Sequence, residues 1–341
     1  MRAAVLTEFG KPLALDDVSV PEALAGEVLI EVLACGVCHS DLHIADGDLP
    51  GFRALTKPRV IPGHEVVGRV LRCGPSVSNL HVGDRVGVPW LFRACGTCEQ
   101  CREGNENLCR QDAAVTGMTV DGGFAQFMRA NASYAVRIPE QLSDQQAAPL
   151  LCAGVTSYRA LKKAAVAPGQ RVAVFGIGGL GHLALQLARA MGAEVFALDL
   201  STEKLNFARE LGAEHVLNAA DPEALKFLRQ RGGVHAAVVT SAAQSAYNAA
   251  LKSLRPGGTL CVVGFPPEPL QFQALALVSA EARIVGSAVG TRDDLRAVLE
   301  LAARGQLRCR VDVQPLSRIN EILAAMRRGA IQGRVVVDPR Q

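Results

Sequence analysis

Aromatic side chains are scarce in this 341-residue sequence: one tryptophan, three tyrosines and eleven phenylalanines make up 4% of it. An excess of either charge is missing too, since 36 Lys and Arg face 33 Asp and Glu for a formal net charge of +3. The basic residues are scattered, and without a basic, aromatic surface no nucleic-acid partner is expected. Long apolar runs are also lacking. The best uncharged stretches are 172–188, interrupted by four glycines, and 234–251, loaded with Ser, Thr, Gln and Asn. Neither approaches the ~20 predominantly apolar residues of a membrane span, so no membrane partner is expected. Glu8 and Lys11 break the N-terminal region before a signal-like apolar stretch can form, and a cytoplasmic chain is expected. No internal repeat or low-complexity segment is visible.

What is present reads as about two globular domains, with 49% hydrophobic and 20% charged residues. Up to about residue 150 the chain shows short strand-like runs at 28–33, 66–71, 84–88 and 134–138, broken by Gly, Pro and Asp. Long irregular stretches separate them at 35–62 and 90–115, and loops of that length are functional or pinned by something other than core packing. After Cys152 the texture changes. Apolar strands at 171–175, 194–198, 215–217, 235–240 and 259–263 alternate with helix-like segments ending at Met191 or spanning 202–211, 222–231 and 244–254. Such alternation implies βαβ units, a parallel sheet and a doubly wound α/β fold. The last fifty or so residues, helix-like at 293–303 and 319–328 and strand-like at 334–338, are expected to return to the first domain.

The run Phe175-Gly176-Ile177-Gly178-Gly179-Leu180-Gly181 contains G-x-G-x-x-G between a strand and a helix, the context in which that motif is informative. Gly176 would permit the tight turn, Gly178 and Gly179 the approach of a pyrophosphate, and Gly181 close helix–strand packing. Asp199, eighteen residues beyond Gly181 at the end of the next strand, is placed to accept the adenosine-ribose hydroxyls and repel a 2′-phosphate, which selects NAD over NADP. Lys204, one helical turn on, could also reach the ribose. The plainer alternative is an ordinary strand–turn–helix with Asp199 as a helix N-cap.

Ten cysteines are many for such a chain. Cys95, Cys98, Cys101 and Cys109 fall within fifteen residues of one long loop, in the order C-x2-C-x2-C-x7-C. Four thiolates complete a tetrahedral Zn²⁺ and leave no open position, so this would be a structural site. Two disulfides or unligated thiols are the alternatives. Cys38, His64 and Cys152 form a dispersed second set that would suit a Cys2His zinc with a vacancy, a Lewis acid toward an alcohol or carbonyl oxygen. Their spacing alone establishes nothing, and a lone buried Cys152 could equally be a small hydrophobe. Cys35, Cys73, Cys261 and Cys309 remain, and are expected to be packing residues.

Five ordered motifs carry a resemblance: Gly36-Val37-Cys38-His39-Ser40-Asp41, Gly63-His64-Glu65, the four-cysteine lobe, Leu151-Cys152-Ala153-Gly154 and the glycine turn. The chain resembles the medium-chain, zinc-dependent alcohol dehydrogenase family, especially its compact microbial tetrameric branch, from the first strand to Gly333-Arg334-Val335-Val336-Val337. The resemblance implies a GroES-like catalytic domain at 1–152, an NAD-binding Rossmann domain at 153–288, a return to the catalytic domain at 289–341, and a homotetramer. It implies two zinc ions per chain, with Cys38, His64 and Cys152 at the catalytic one. Asp41 would orient His64, and Glu65 would neighbour the metal. Ser40 matches the hydroxyl that contacts the reacting alcohol, and His43 the imidazole that passes its proton onward through the nicotinamide ribose. His39 matches a residue near the cofactor pyrophosphate, and His182 reads as structural. Without the motif, Asp41, Glu65, His39 and His43 would each be plain loop or surface residues.

Trp90 matches a pocket-wall aromatic, whereas Leu49 stands where ethanol-using relatives carry tryptophan. The smaller side chain implies a wider pocket that accepts medium-chain or aromatic primary alcohols and aldehydes as well as short ones. Two rivals remain at this level. A zinc-free quinone reductase of the same fold would keep full activity after chelation. A nucleic-acid binder built on the four-cysteine lobe would bind in a salt-dependent way and form no NADH.

Overall fold

In the computed structural model, which describes residues 1–266 and 268–341, Met1–Cys152, Thr291–Ala303 and Cys309–Gln341 form one unit, and Ala153–Gly290 with Arg304–Arg308 a second. The return to the first unit therefore starts at Thr291 rather than 289, and Arg304–Arg308 stays behind. The Gln186 side chain accounts for that detour, donating to the Arg308 carbonyl at 2.9 Å and accepting from its amide at 3.0 Å.

Small and β-branched apolar residues dominate the central strands of the second unit, as strands buried on both faces require. Six parallel strands lie in the order His215–Asn218, Glu194–Asp199, Arg171–Phe175, Val234–Val239, Leu254–Val262 and Arg283–Gly286. Helices Gly181–Ala190, Thr202–Glu210, Pro222–Gln230 and Gln244–Ser253 end within a residue or so of the sequence reading. The sixth strand and the helix Ala274–Ala280 escaped it. That helix reads ALALVSA and has no charged face to reveal its period, while the strand is only four residues long. Leu254–Val262 starts five residues ahead of the expected 259 because Pro256, Gly257 and Gly258 read as a turn. Winding reverses at Arg171–Phe175, the point where doubly wound sheets bind ligands beyond their strand ends.

The first unit is a mostly antiparallel seven-stranded sheet. Its order is Val311–Pro315, Arg334–Asp338, Glu27–Val37, Glu65–Cys73, Arg85–Val88 and Val136–Arg137, with Phe127–Asn131 pairing alongside the first half of Glu27–Val37. The expected strand at 134–138 shrinks to Val136–Arg137. The expected irregular stretch 35–62 instead holds two helices, His39–Asp46 and Pro50–Leu55. Asp41 reaches back to accept from the Cys38 amide at 2.9 Å, half of a capping box, but a thiol at the N-cap hides the signal. Ile30, Ile44, Phe124 and Met128 are among the largest fully buried side chains of this unit's core.

The long loop 90–115 is tied down by one arginine. Arg292 grips Glu106 with both arms of its guanidinium, at 2.8 and 3.2 Å, and its backbone amide adds a bond at 3.0 Å. The same guanidinium covers the Tyr134 ring at 4.3 Å, and Tyr134 donates to the Ala94 carbonyl at 3.2 Å. Burial alone would push the Glu106 carboxyl up, but the bonds and charge of Arg292 outweigh it and hold the group below its ordinary range. A depressed folded value stabilises the fold above the unfolded Glu value of about 4.3 and loses that contribution as pH falls through the folded value. The denaturation midpoint of Glu106→Gln should therefore lie below wild type near neutrality and converge with it below about pH 4. Midpoints separated by a constant amount across that range would show the pair is not linked to folding.

Candidate active site and metal centres

Cys38 follows the Glu27–Val37 strand, His64 precedes and Glu65 opens the Glu65–Cys73 strand, and Cys152 follows the turn Ala148–Leu151. Folding brings one ligand atom from each of the four within 4.8 Å of the others, all buried. Asp41 does the aligning: Oδ1 accepts from His64 Nδ1 at 2.8 Å and from the Gly63 amide at 3.1 Å, while Oδ2 takes the Cys38 amide. A carboxylate can only accept here, so Nδ1 carries the proton and the Nε2 lone pair faces the cluster. Nε2 has no hydrogen-bond partner, nor has Glu65 Oε2. An orphaned buried acceptor costs about 1–3 kcal/mol, a deficit a bound cation removes. The thiol of Cys152, hydrogen-bonding to Cys38, draws Cys38 well below the ordinary thiol range, toward the thiolate a metal needs. Two thiols and an unpartnered imidazole nitrogen fit a Cys2His zinc.

Nothing in the local sequence marks Arg334 as part of this cluster. It lies 3% exposed, and its Nη2 donates to Glu65 Oε1 at 2.5 Å. Burial still pushes the Glu65 carboxyl up to about 7 against the pull of Arg334. Gly36 makes room for this group, since a Cβ there would lie 1.9 Å from Glu65 Oε2. Trp90 sets its ring edge-on to His64, centroids 4.8 Å apart, and Phe52 packs against Trp90 at 5.7 Å. Leu49 stands half-buried at the N-cap of the helix that carries Phe52.

Ser40 and His43 occupy one face of the helix His39–Asp46, three residues apart, with Ser40 half-buried and His39 exposed. His43 Nδ1 lies 3.0 Å from both carboxylate oxygens of Asp48, a partner the sequence did not suggest.

The four-cysteine loop closes on itself. Cys95 and Cys101 sulfurs are 3.9 Å apart, as are those of Cys98 and Cys109. That is near the edge of about 3.8 Å for a tetrahedron with ~2.3 Å zinc–sulfur bonds, and far from the ~2.05 Å of a disulfide. The amides of Thr97 and Cys98 point at Cys95 Sγ and draw that thiol down to about 6.

In the second unit Gly176 has φ +91°, and a Cβ on it would press on Thr240 Oγ1 and the Ser241 amide at 3.1 and 3.2 Å. A Cβ on Gly181 would strike the Gly176 carbonyl at 1.8 Å, while Gly178 borders open space. The first turn of helix Gly181–Ala190 carries no side-chain cap, and its His182 and Leu183 amides turn back to the Gly178 and Leu180 carbonyls at 3.2 and 3.0 Å. Asp199 is not a helix N-cap; Ser201 is, accepting from the Lys204 amide at 3.4 Å. Instead Asp199 Oδ2 accepts from Ile177 in the glycine turn at 2.6 Å, and Oδ1 from the Leu200 and Ser201 amides. Lys204 is half-buried. His182 is buried with Nδ1 2.9 Å from the Gly178 carbonyl, as a structural residue would be.

Residues 24–140 match the family described as alcohol dehydrogenase GroES-like domain, and residues 179–304 the family described as zinc-binding dehydrogenase. An alcohol dehydrogenase of Geobacillus stearothermophilus is 49% identical over 99% of both chains. The chain belongs to the zinc-dependent alcohol dehydrogenase family. Among solved structures, the alcohol dehydrogenase of the hyperthermophilic archaeon Aeropyrum pernix superposes with a TM-score of 0.92 at 36% identity, covering 99% of this chain and 100% of that one. The acetophenone reductase of Geotrichum candidum in complex with NAD gives 0.88 at 31%, covering 99% and 96%.

In this dehydrogenase no disulfide joins the described cysteines. Cys35, Cys261 and Cys309 are buried, but Cys73 is exposed and is not the packing residue expected, because it ends its strand on the solvent side. Metal analysis should return two zinc ions per chain. Cys152→Ala should lose one zinc and more turnover than the ~10–100-fold cost of outer-shell changes, with NAD binding intact. Cys98→Ala should lose the other and chiefly lower the melting temperature. A single zinc in wild type, or wild-type turnover in Cys152→Ala, would overturn this division of labour.

Proposed function

We propose that this dehydrogenase interconverts primary alcohols and aldehydes with NAD, taking medium-chain and aromatic substrates as well as short ones. The buried cluster of Cys38, His64 and Cys152, with His64 Nε2 turned inward and unpartnered, carries the reading. When bound, Zn²⁺ supplies Lewis acidity at the alcohol or carbonyl oxygen and NAD a hydride acceptor. Cys38, His64 and Cys152 hold the metal, and Asp41 fixes the His64 ring. Glu65 stands at the edge of the cluster with its charge offset by Arg334. Ser40 receives the hydroxyl proton and His43 passes it toward solvent. The turn Gly176–Gly181 and the first turn of its helix hold the pyrophosphate, Asp199 and Lys204 the ribose, and His39 contributes near the phosphates. The unit containing 1–152 thus supplies the metal chemistry and the unit containing 153–288 the dinucleotide site.

Trp90 and Phe52 supply an aromatic wall beside His64, and Leu49 in place of a large indole leaves room for longer chains. On the family resemblance, a cytoplasmic homotetramer is the proposed working form, which light scattering on the purified enzyme would check.

Steady-state kinetics across a chain-length and aromatic alcohol series test the substrate reading. kcat/KM should hold or rise from ethanol to hexanol and benzyl alcohol, and a steep fall beyond ethanol would sink it. Asp199→Gly should weaken NAD and relax the rejection of NADP by at least about tenfold in relative kcat/KM, since removing the carboxylate removes the repulsion of the 2′-phosphate. An unchanged preference would refute Asp199 as the selector.

A further inference from the structure

Helix His39–Asp46 ends at Gly47, whose φ of +64° is left-handed and whose amide donates to the His43 carbonyl at 2.9 Å. Glycine is needed there because a Cβ would meet the Phe9 ring at 2.8 Å in addition to the strain of positive φ. The turn swings the next residue, Asp48, back over the last helical turn. Both its carboxylate oxygens come to 3.0 Å from His43 Nδ1. The other acid flanking the glycine, Asp46, is held by Arg327, with Nε to Oδ2 at 3.1 Å, and does not compete. His43 is 24% exposed in its side chain and Asp48 50%, so the pair leads from the helix face toward water.

We propose that Asp48 is the positioning residue of the proton relay. It holds the His43 ring in one orientation and as the Nδ1–H tautomer, which leaves Nε2 as the acceptor. The proposal rests on the reading of Ser40 and His43 as the relay. A carboxylate can only accept, so the Nδ1 proton is obligatory in the neutral ring and Nε2 keeps its lone pair. In the oxidative direction Nε2 takes the proton that leaves the alcohol through Ser40, and the imidazolium returns one proton to solvent. In the reductive direction the same proton is drawn from solvent. Asp48 ends each cycle unchanged and touches neither substrate nor metal ligand.

The test measures single-turnover NADH formation at saturating alcohol in the zinc-loaded enzyme, alongside ring-¹⁵N spectra of His43 without dinucleotide. Asp48→Ala should slow the turnover about tenfold, a fraction of the ~10²–10⁴ that positioned proton transfer contributes. NAD affinity and melting temperature should stay at the wild-type level, and the His43 spectrum should shift from Nδ1–H to a mixture of tautomers. Asp48→Asn should be at least as slow, because its amide can donate to Nδ1 and impose the wrong tautomer. The double variant His43→Ala/Asp48→Ala should be no slower than His43→Ala alone. If His43→Ala is slow while Asp48→Ala keeps both the wild-type rate and tautomer, the positioning role is overturned and the relay stands. If His43→Ala itself runs at the wild-type rate, the relay reading falls, and the role of Asp48 with it.

Discussion

One buried carboxylate ties the catalytic region together. Asp41 is 1% exposed and accepts three hydrogen bonds, from the Cys38 amide, the Gly63 amide and the His64 ring. A carboxylate out of water is costly unless its lone pairs are filled, and here two of the three filling groups lie 22 and 23 residues away in the chain. The helix that bears Ser40 and His43, the turn before the Glu65–Cys73 strand and two of the three expected metal ligands are therefore set relative to one another by a single side chain. An alanine at this position would leave the Gly63 amide and His64 Nδ1 without their acceptor.

Charge around that carboxylate is arranged in a chain. Asp41 faces His64, His64 turns Nε2 toward Cys38 and Cys152, and Glu65 beside them is answered by Arg334. Two buried acids, one buried guanidinium and two thiols would be an unfavourable set in an apolar interior without a further cation. The unpartnered Nε2 and Oε2 atoms mark where that cation belongs. The four-cysteine lobe solves a different problem by the same ligand chemistry. Its loop has little apolar content to bury, so four sulfurs and the Arg292–Glu106–Tyr134 stack take the place of a core.

The second unit depends on proximity rather than charge. Gly176 and Gly181 bring the Arg171–Phe175 strand and its helix so close that a single methyl group would strike backbone. Asp199 then reaches across to the Ile177 amide with one oxygen while the other takes the Leu200 and Ser201 amides. One side chain thus ties the glycine turn to the segment that follows the next strand.

What the sequence determined by itself was everything encoded over short spans. The four thiols of the lobe, the glycine turn with its flanking strand and helix, and the alternation after Cys152 are local patterns, and spacing alone reveals them. The dispersed ligands Cys38, His64 and Cys152 emerged only through resemblance, because 26 and then 88 residues separate them and no periodicity relates such positions. Tertiary structure alone decided the rest. Arg334 reads as the charged start of an apolar strand, Asp48 as a turn residue and Phe52 as part of an irregular stretch; strand pairing and a left-handed glycine bring them to Glu65, His43 and Trp90. The helices at 39–46 and 50–55 were hidden for a related reason. Their ends are set by Asp41, Gly47 and packing on Trp90 rather than by helical periodicity, so the information that makes them helices lies elsewhere in the chain.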